Sequence, residues 1–460
     1  MLFTLKKDEW FGNIKNDTLS GLVTAIALIP EVIGFAIIAG VNPITALFAS
    51  VSTAVITSLT SGRPAMVSAA AGSMALIMVS LIKNYGIEYM IAATILTGFI
   101  QILLGYLGIH RLMKFISKPV MLGFVNALAI LIFLAQVHQL VGGNQATYIV
   151  VFLAVLGMFI IPKFFATIPP ALIVIVLATL TTMFSSVELQ TVGDLGDMSG
   201  TIPGLTFPIV PFTIETLGII LPVSIGLSMV GLIESLLTLP LVDDMTGSQG
   251  DTQREVKSQG LANIVTGFFG GPAGCAMIGQ SVINVKSGGR KRLSTLVAGL
   301  SLLVLIVFFK DIMIQIPTAA LIGIMMTVAF ETFDWESIKS IKTTPLSDLV
   351  IMVVTISIVV YTHNLAIGIF SGILLHMIIF TVNASRLVIE EMDDTIHIHG
   401  LLFFVSANQL TEHFKTTDWS HIHTINLDGL KVLDEAGQHV LEQFIQDIKK
   451  QSPSINVIQK

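Results

Sequence analysis

The chain has 460 residues, 53% hydrophobic and only 12% charged, with a formal net charge of −6. A soluble domain carries about a quarter charged residues, so most of this surface must face lipid. The weak negative charge gives no sign of nucleic-acid binding. The single cysteine, Cys275, excludes an intramolecular disulfide and a cysteine-based metal cluster.

Residues 1–18 are polar and amphipathic, and no A-x-A-like cleavage site marks the first apolar run. Membrane insertion is therefore expected to rely on the first span. Apolar stretches separated by short polar loops then predict fourteen membrane elements. They lie near 19–39, 43–60, 66–82, 88–108, 119–141, 147–162, 169–186, 213–239, 256–270, 273–289, 293–310, 316–332, 346–361 and 363–384. The third, sixth, ninth and tenth read as shorter than a full span.

Lys6, Lys7 and Lys15 before the first span place the N-terminus inside by the positive-inside rule. Alternation then puts Arg63, Arg111, Lys114, Lys118, Lys163, Arg254, Lys257, Arg290, Lys291, Arg292, Lys339 and Lys342 inside. The loops assigned outside are poor in basic residues, among them the acidic stretch Glu188–Asp197. Lys83 and Lys310 are the exceptions, read as paired with Glu88 and Asp311. This pattern predicts an even count with both termini cytoplasmic.

Glu31 follows Pro30 in the middle of the first span. Glu234 holds the equivalent place in the eighth span if the two halves are repeats. An acid at the bilayer centre costs about 2.5–3.5 kcal/mol on insertion scales and is a functional candidate by default. Burial disfavours the charged form of a carboxyl, which suits such a group to proton coupling. Thr238 lies one turn beyond Glu234 on the same face and is expected to share its site.

The third and tenth elements share an unusual design. Met66-Val-Ser-Ala-Ala-Ala71 is extended and small, and a helix is expected to start at Gly72-Ser73. Gly270 to Ile278 is again extended and glycine-rich, with a helix expected from Gly279-Gln-Ser-Val. Irregular backbone at membrane depth survives only where protein buries it or a cavity is lined by it. A helix starting there presents unpaired N–H groups and the positive end of its dipole. Two such starts meeting make an anion site without a buried cation. Paired interrupted segments in corresponding halves point to a transporter's binding site. The expected substrate contacts are Ala71, Gly72, Ser73, Ile278, Gly279, Gln280 and Ser281, with Thr238. Asn126, His138, His363 and His376 read instead as interhelical hydrogen-bonding residues.

From about residue 386 the chain turns polar. Strand-like stretches at Thr395–His399, Leu401–Val405 and Ile422–Leu427 precede one amphipathic helix carrying Val440, Leu441, Phe444, Ile445 and Ile448. No nucleophile–base–acid set, phosphate-binding loop or metal-ligand cluster is present, so neither an enzyme nor a cofactor is expected.

The stretch Leu28-Ile-Pro-Glu-Val-Ile-Gly-Phe-Ala-Ile-Ile-Ala-Gly-Val-Asn-Pro43 resembles the first-span signature of the SulP family of sulfate permease–type anion transporters. Lys118-Pro-Val-Met-Leu-Gly-Phe124, Glu234-Ser-Leu-Leu-Thr238, Asn263 to Gly271 and Gly274 to Gly289 are also similar to it. The resemblance implies an all-α polytopic membrane protein of fourteen elements arranged as a seven-plus-seven inverted repeat with two half-helices. A mobile core (about 19–110 and 213–310) would slide against a gate (about 119–186 and 316–384) as an elevator. The tail resembles a truncated STAS domain (sulfate transporter and anti-sigma factor antagonist), a small α/β cytoplasmic unit at 386–460. It ends before that domain's last strand and helix. Such domains contribute to dimer contacts, so a homodimer in the cell membrane is implied.

An acid at Glu31, where relatives often carry glutamine, looks like the proton-coupled bacterial branch. Sodium coupling is not expected, because Ile278 stands where a sodium-binding relative has a threonine. Gln280 stands where many relatives have arginine, which lowers the positive charge of the site. The expected function is anion–proton symport, with sulfate, bicarbonate, chloride and dicarboxylates all admissible. A nucleobase-type proton symporter of the same fold and an uncoupled anion channel or exchanger remain alternatives.

Overall fold

A computed structural model describes residues 6–108, 116–164, 168–184, 189–195, 204–392, 394–417 and 419–458. Arg111, Lys114, Glu188 and Asp197, used in the charge argument, lie outside the described residues. The chain divides into two compact units, residues 1–372 and 373–460.

The first unit opens with α1 (Lys7–Phe11), α2 (Ile14–Ala39) and α3 (Pro43–Thr60). A three-residue strand, β1 (Ser68–Ala70), leads into α4 (Gly72–Tyr85), followed by α5 (Ile87–Leu107). Helices α6 (Lys118–Leu140), α7 (Gln145–Phe164) and α8 (Pro170–Phe184) complete the first half. The second half contains α9 (Ile214–Thr246), α10 (Thr252–Phe268), β2 (Gly274–Ala276) and α11 (Ile278–Lys286). It continues through α12 (Arg292–Met313), α13 (Thr318–Thr332), α14 (Trp335–Lys339), α15 (Leu346–Thr362) and the start of α16 (Leu365–Ala384), whose residues after 372 belong to the second unit. Eight helices among the described residues are long and apolar enough to cross a membrane alone, and α8, α13 and α15 are apolar but shorter.

Packing between the halves is reciprocal. Helix α5 packs on α10 as α12 packs on α3, and α6 packs on α15 as α7 packs on α13. Likewise α2 lies on α12 as α9 lies on α5. Glycine sets the closest crossing. A Cβ on Gly98 would sit 2.4 Å from the Gly260 carbonyl oxygen, and one on Gly260 would sit 2.6 Å from that of Gly98. Small residues at membrane helix contacts admit such approach.

Several boundaries differ from the sequence expectation. Helix α2 begins at Ile14, not near 19, because buried Asp17 accepts from the Arg290 N–H (2.8 Å) and the Lys291 N–H (3.2 Å). A polar residue in the first turn is thereby held by tertiary partners. Helix α9 runs seven residues beyond Leu239, because Asp243 pairs with Arg63 at 2.8 Å while Val242 is buried. The sixth predicted element is a full 20-residue helix rather than a short one. Glu88 accepts from the Ile209 N–H at 2.7 Å, a backbone partner that the reading of Glu88 with Lys83 did not include.

In the second unit, β3 (Val388–Met392), β4 (Thr395–Leu402), β5 (Thr424–Val432) and β6 (Asn456–Ile458) form one sheet in that order. The β3–β4 pair is antiparallel, and the β4–β5 and β5–β6 pairs are parallel. Helices α17 (Ala407–Thr416) and α18 (Glu435–Gln451) pack together, with Ile396, Ile398, Leu441, Phe444 and Ile448 in the core. The sequence reading missed β3, β6 and α17. It also made Leu401–Val405 a separate strand, whereas Leu401 and Leu402 finish β4 and the chain turns immediately after.

Candidate functional site

The two interrupted elements meet through their strands. β1 and β2 pair antiparallel, Ser68 opposite Ala276 and Ala70 opposite Gly274. Extended backbone in a membrane needs partners for every N–H and C=O, and the surrounding helices supply them. Ser50 of α3 accepts from the Ala70 N–H (3.1 Å), and Ser235 of α9 accepts from the Ala276 N–H (3.0 Å). Asn263 of α10 bonds both the N–H (2.8 Å) and the carbonyl (3.1 Å) of Gly274. The Ser281 hydroxyl accepts from the Val67 N–H at 2.9 Å. A buried polar frame thus fixes where both half-helices begin.

Ala71 and Met277 stand at the caps of α4 and α11, and neither side chain caps its helix. The first N–H groups of both helices therefore lack side-chain acceptors and point their dipoles at the same space. That space is a cavity of about 110 Å³, several times what one water needs (about 10–15 Å³). Gly72, Ser73, Ile278 and Gly279 line it from the half-helices, with Glu31 of α2 and Glu234 of α9 beside them. Helix α6 contributes Phe124 and Leu128, and α13 contributes Val328 and Thr332. Among the described residues no lysine or arginine lines it. A larger cavity of about 520 Å³ between α2, α8 and α12 is lined by aliphatic and aromatic side chains, with Thr179 its one hydroxyl among the described residues.

The expected site residues divide into three groups. Glu31, Gly72, Ser73, Glu234, Ile278 and Gly279 come together at the cavity. Gln280 is fully buried, and its side-chain amide interacts with the Glu31 carboxyl. Ala71, Thr238 and Ser281 do not line the cavity. Thr238 donates to its own helix at the Glu234 carbonyl (2.8 Å), and Ser281 is held by Val67, so neither hydroxyl faces the space. Asn126 bonds Ser337 (3.0 Å) and the Asp334 N–H (2.8 Å), in keeping with its interhelical reading. Sequence reasoning missed the framing roles of Ser50 and Ser235 and the place of Cys275 next to Glu234. Only hydroxyls at mid-span hinted at the first two.

The carboxyl of Glu234 accepts from the Ser73 hydroxyl and from the Cys275 thiol, the latter at 3.3 Å. Among the described residues no group of three or more His, Cys, Asp or Glu could hold a metal ion.

The family model described as the sulfate permease family matches residues 14–156 and 146–355. YbaR of Bacillus subtilis (strain 168), named as a candidate sulfate transporter, is 47% identical over 98% of this chain and 95% of its own. The bicarbonate transporter BicA of Picosynechococcus sp. is 27% identical over 72% of this chain and 63% of its own. The murine Solute Carrier 26 family member A9 anion transporter, solved in the inward-facing state, superposes with TM-score 0.84 at 15% identity. That match covers 99% of this chain and 86% of the murine one, and shows a shared fold.

Proposed function

The chain belongs to the sulfate permease family, and from that premise we propose that it carries small anions by proton symport, using the cavity between α4 and α11. The family and its relatives are transporters, so this chain is a membrane transporter and not an enzyme. The observation that carries proton coupling is the charge of the cavity wall: among the described residues it has two carboxyls, Glu31 and Glu234, and no cation. Two helix N-termini attract an anion with about half a positive charge each, while the two carboxyls on the same wall, when ionised, carry a full negative charge each and repel it. Protonation removes that repulsion, so anion and proton enter together. Glu31 is the main proton site in this reading, and Glu234 the second.

Fourteen membrane elements in a seven-plus-seven inverted repeat accord with the reciprocal packing of the halves. The core would comprise α2–α5 and α9–α12, and the gate α6–α8 and α13–α16. The cavity lies where α6 and α13 face the half-helices, which suits an elevator in which the core slides past the gate. The tail is read as a shortened STAS-like domain, cytoplasmic like the N-terminus, and the protein as a homodimer.

The test is internal pH in proteoliposomes while sulfate, fumarate or chloride is added outside, with and without sodium. Acidification by one anion, independent of sodium and absent in Glu31→Gln, supports the reading and names the substrate. Uptake of labelled anion with no pH change, or with the same pH dependence in Glu31→Gln, overturns the proton assignment. Competition by uracil but not by anions would favour nucleobase transport instead.

A further inference from the structure

Cys275 has no part in the function just described, yet its buried thiol bonds Glu234, which lines the cavity. Its Sγ is 3.3 Å from Glu234 Oε2, the same oxygen that accepts the Ser73 hydroxyl, and 4.0 Å from Ser73 Oγ. Cys275 and Ser73 are buried and Glu234 is 9% exposed. Ser73 stands on the first turn of α4 and lines the cavity, so its hydroxyl has two possible acceptors, the carboxylate and an anion.

A hydroxyl has one proton to donate. While Glu234 is ionised, Ser73 gives that proton to Oε2 and turns only lone pairs toward the cavity. Once Glu234 binds a proton, the carboxyl becomes a donor and Ser73 Oγ can accept from it. The Ser73 O–H is then free to rotate toward an anion. We propose that Ser73, Glu234 and Cys275 form a hydrogen-bond switch in which the Cys275 thiol, as a positioning residue, fixes the carboxylate so that Ser73 is released to the anion only when Glu234 is protonated. This rests on the transport reading above and specifies how its second carboxyl acts. The proton comes from water on the side the anion enters and returns to water where it leaves. No bond between heavy atoms changes.

The titratable groups facing Glu234 are few. Cys275 reaches it from β2, Glu31 of α2 acts across the cavity, and Glu331 of α13 acts in turn on Glu31. Helix α10 carries Arg254, Glu255 and Lys257, but Arg254 donates to the Thr60 carbonyl, Glu255 is bound by Ser61 and the Gly62 N–H, and Lys257 lies over the Tyr106 ring. Helix α5 meets α9 through backbone carbonyls that accept from Ser224 and Ser228. Helix α4 offers Ser73, and its Lys83 lies in the last turn, away from the cavity. Helix α11 bears Lys286 in its last turn, at the end opposite the site.

The experiment measures two quantities across acid to mildly alkaline pH for the full-length protein. One is uptake of labelled sulfate, with bicarbonate in parallel. The other is thermal stabilisation by the same ions in detergent, which reports binding without flux. In Cys275→Ala the ionised carboxylate loses a donor, so the pH midpoint of binding should rise by about one unit, with maximal uptake retained. Cys275→Ser, which keeps a donor, should restore the wild-type midpoint, and Ser73→Ala should remove the pH dependence contributed by this switch. Coincident pH profiles for wild type, Cys275→Ala and Cys275→Ser overturn the switch. Binding with the predicted shifts but no uptake overturns the transport reading and leaves the switch standing. No binding by either ion at any pH overturns both.

Discussion

Gln280 shows at the scale of one residue how this site is balanced. Its amide is fully buried against the Glu31 carboxyl, a neutral partner that leaves the acid's charge uncompensated when it is ionised. A cation there would pair with the acid and supply the positive charge that the cavity wall lacks. Gln280→Arg should therefore make anion uptake less dependent on acid pH. At mildly alkaline pH the KM should fall on the order of tenfold, since the guanidinium offsets the repulsion that ionised Glu31 exerts on the anion. Uptake kinetics at two pH values check this, and an unchanged pH ratio would count against it. The identity of Glu31, Glu234 and Gln280 as unusual residues was legible in the sequence, because each is polar inside an apolar run. Where the hydroxyls of Thr238 and Ser281 go was not. A hydroxyl can bond its own helix as readily as a ligand, and only the neighbouring backbone decided between them.

At the scale of elements, the two half-helices begin where they do because a ribbon of two short strands is held by Ser50, Ser235 and Asn263. Glycine serves two opposite purposes in the same region. Gly260 is enclosed, with the Gly98 carbonyl 2.6 Å from where a Cβ would lie, whereas a Cβ on Gly279 would meet nothing within 4 Å. Gly260→Ala should lower stability by about 1–3 kcal/mol through overpacking, read as an earlier thermal unfolding midpoint in detergent. Gly279→Ala should keep the midpoint and reduce anion uptake, because its methyl group enters the cavity. Equal effects of the two variants on stability would refute this contrast. Sequence alone marked Gly279 as part of a break. It gave no means of telling a packing glycine from a cavity glycine, since both sit beside helices of small residues.

At the scale of the whole molecule, each half completes the other. Helix α10 lies on α5 and α12 on α2 and α3, so each half buries much of its apolar surface against the other. Two chains divided between α8 and α9 should accumulate poorly when expressed singly. Expressed together they should copurify and restore saturable uptake. Stable insertion of either half alone would contradict the reciprocal packing.

The sequence by itself determined a membrane protein with interrupted spans in corresponding places, intramembrane acids, and a small α/β tail. Those features follow from local chemistry: apolar length, charge bias and strings of small residues are properties of contiguous chain. Tertiary structure decided the rest. It set the start of α2 through Asp17 and the length of α9 through the Asp243–Arg63 pair. It separated cavity-lining Ser73 from Ser281, and it brought Cys275 to Glu234 across 41 positions of sequence. Each of these depends on a partner far along the chain, and a hydrogen bond or ion pair forms only once the fold has brought both groups together and removed water from them.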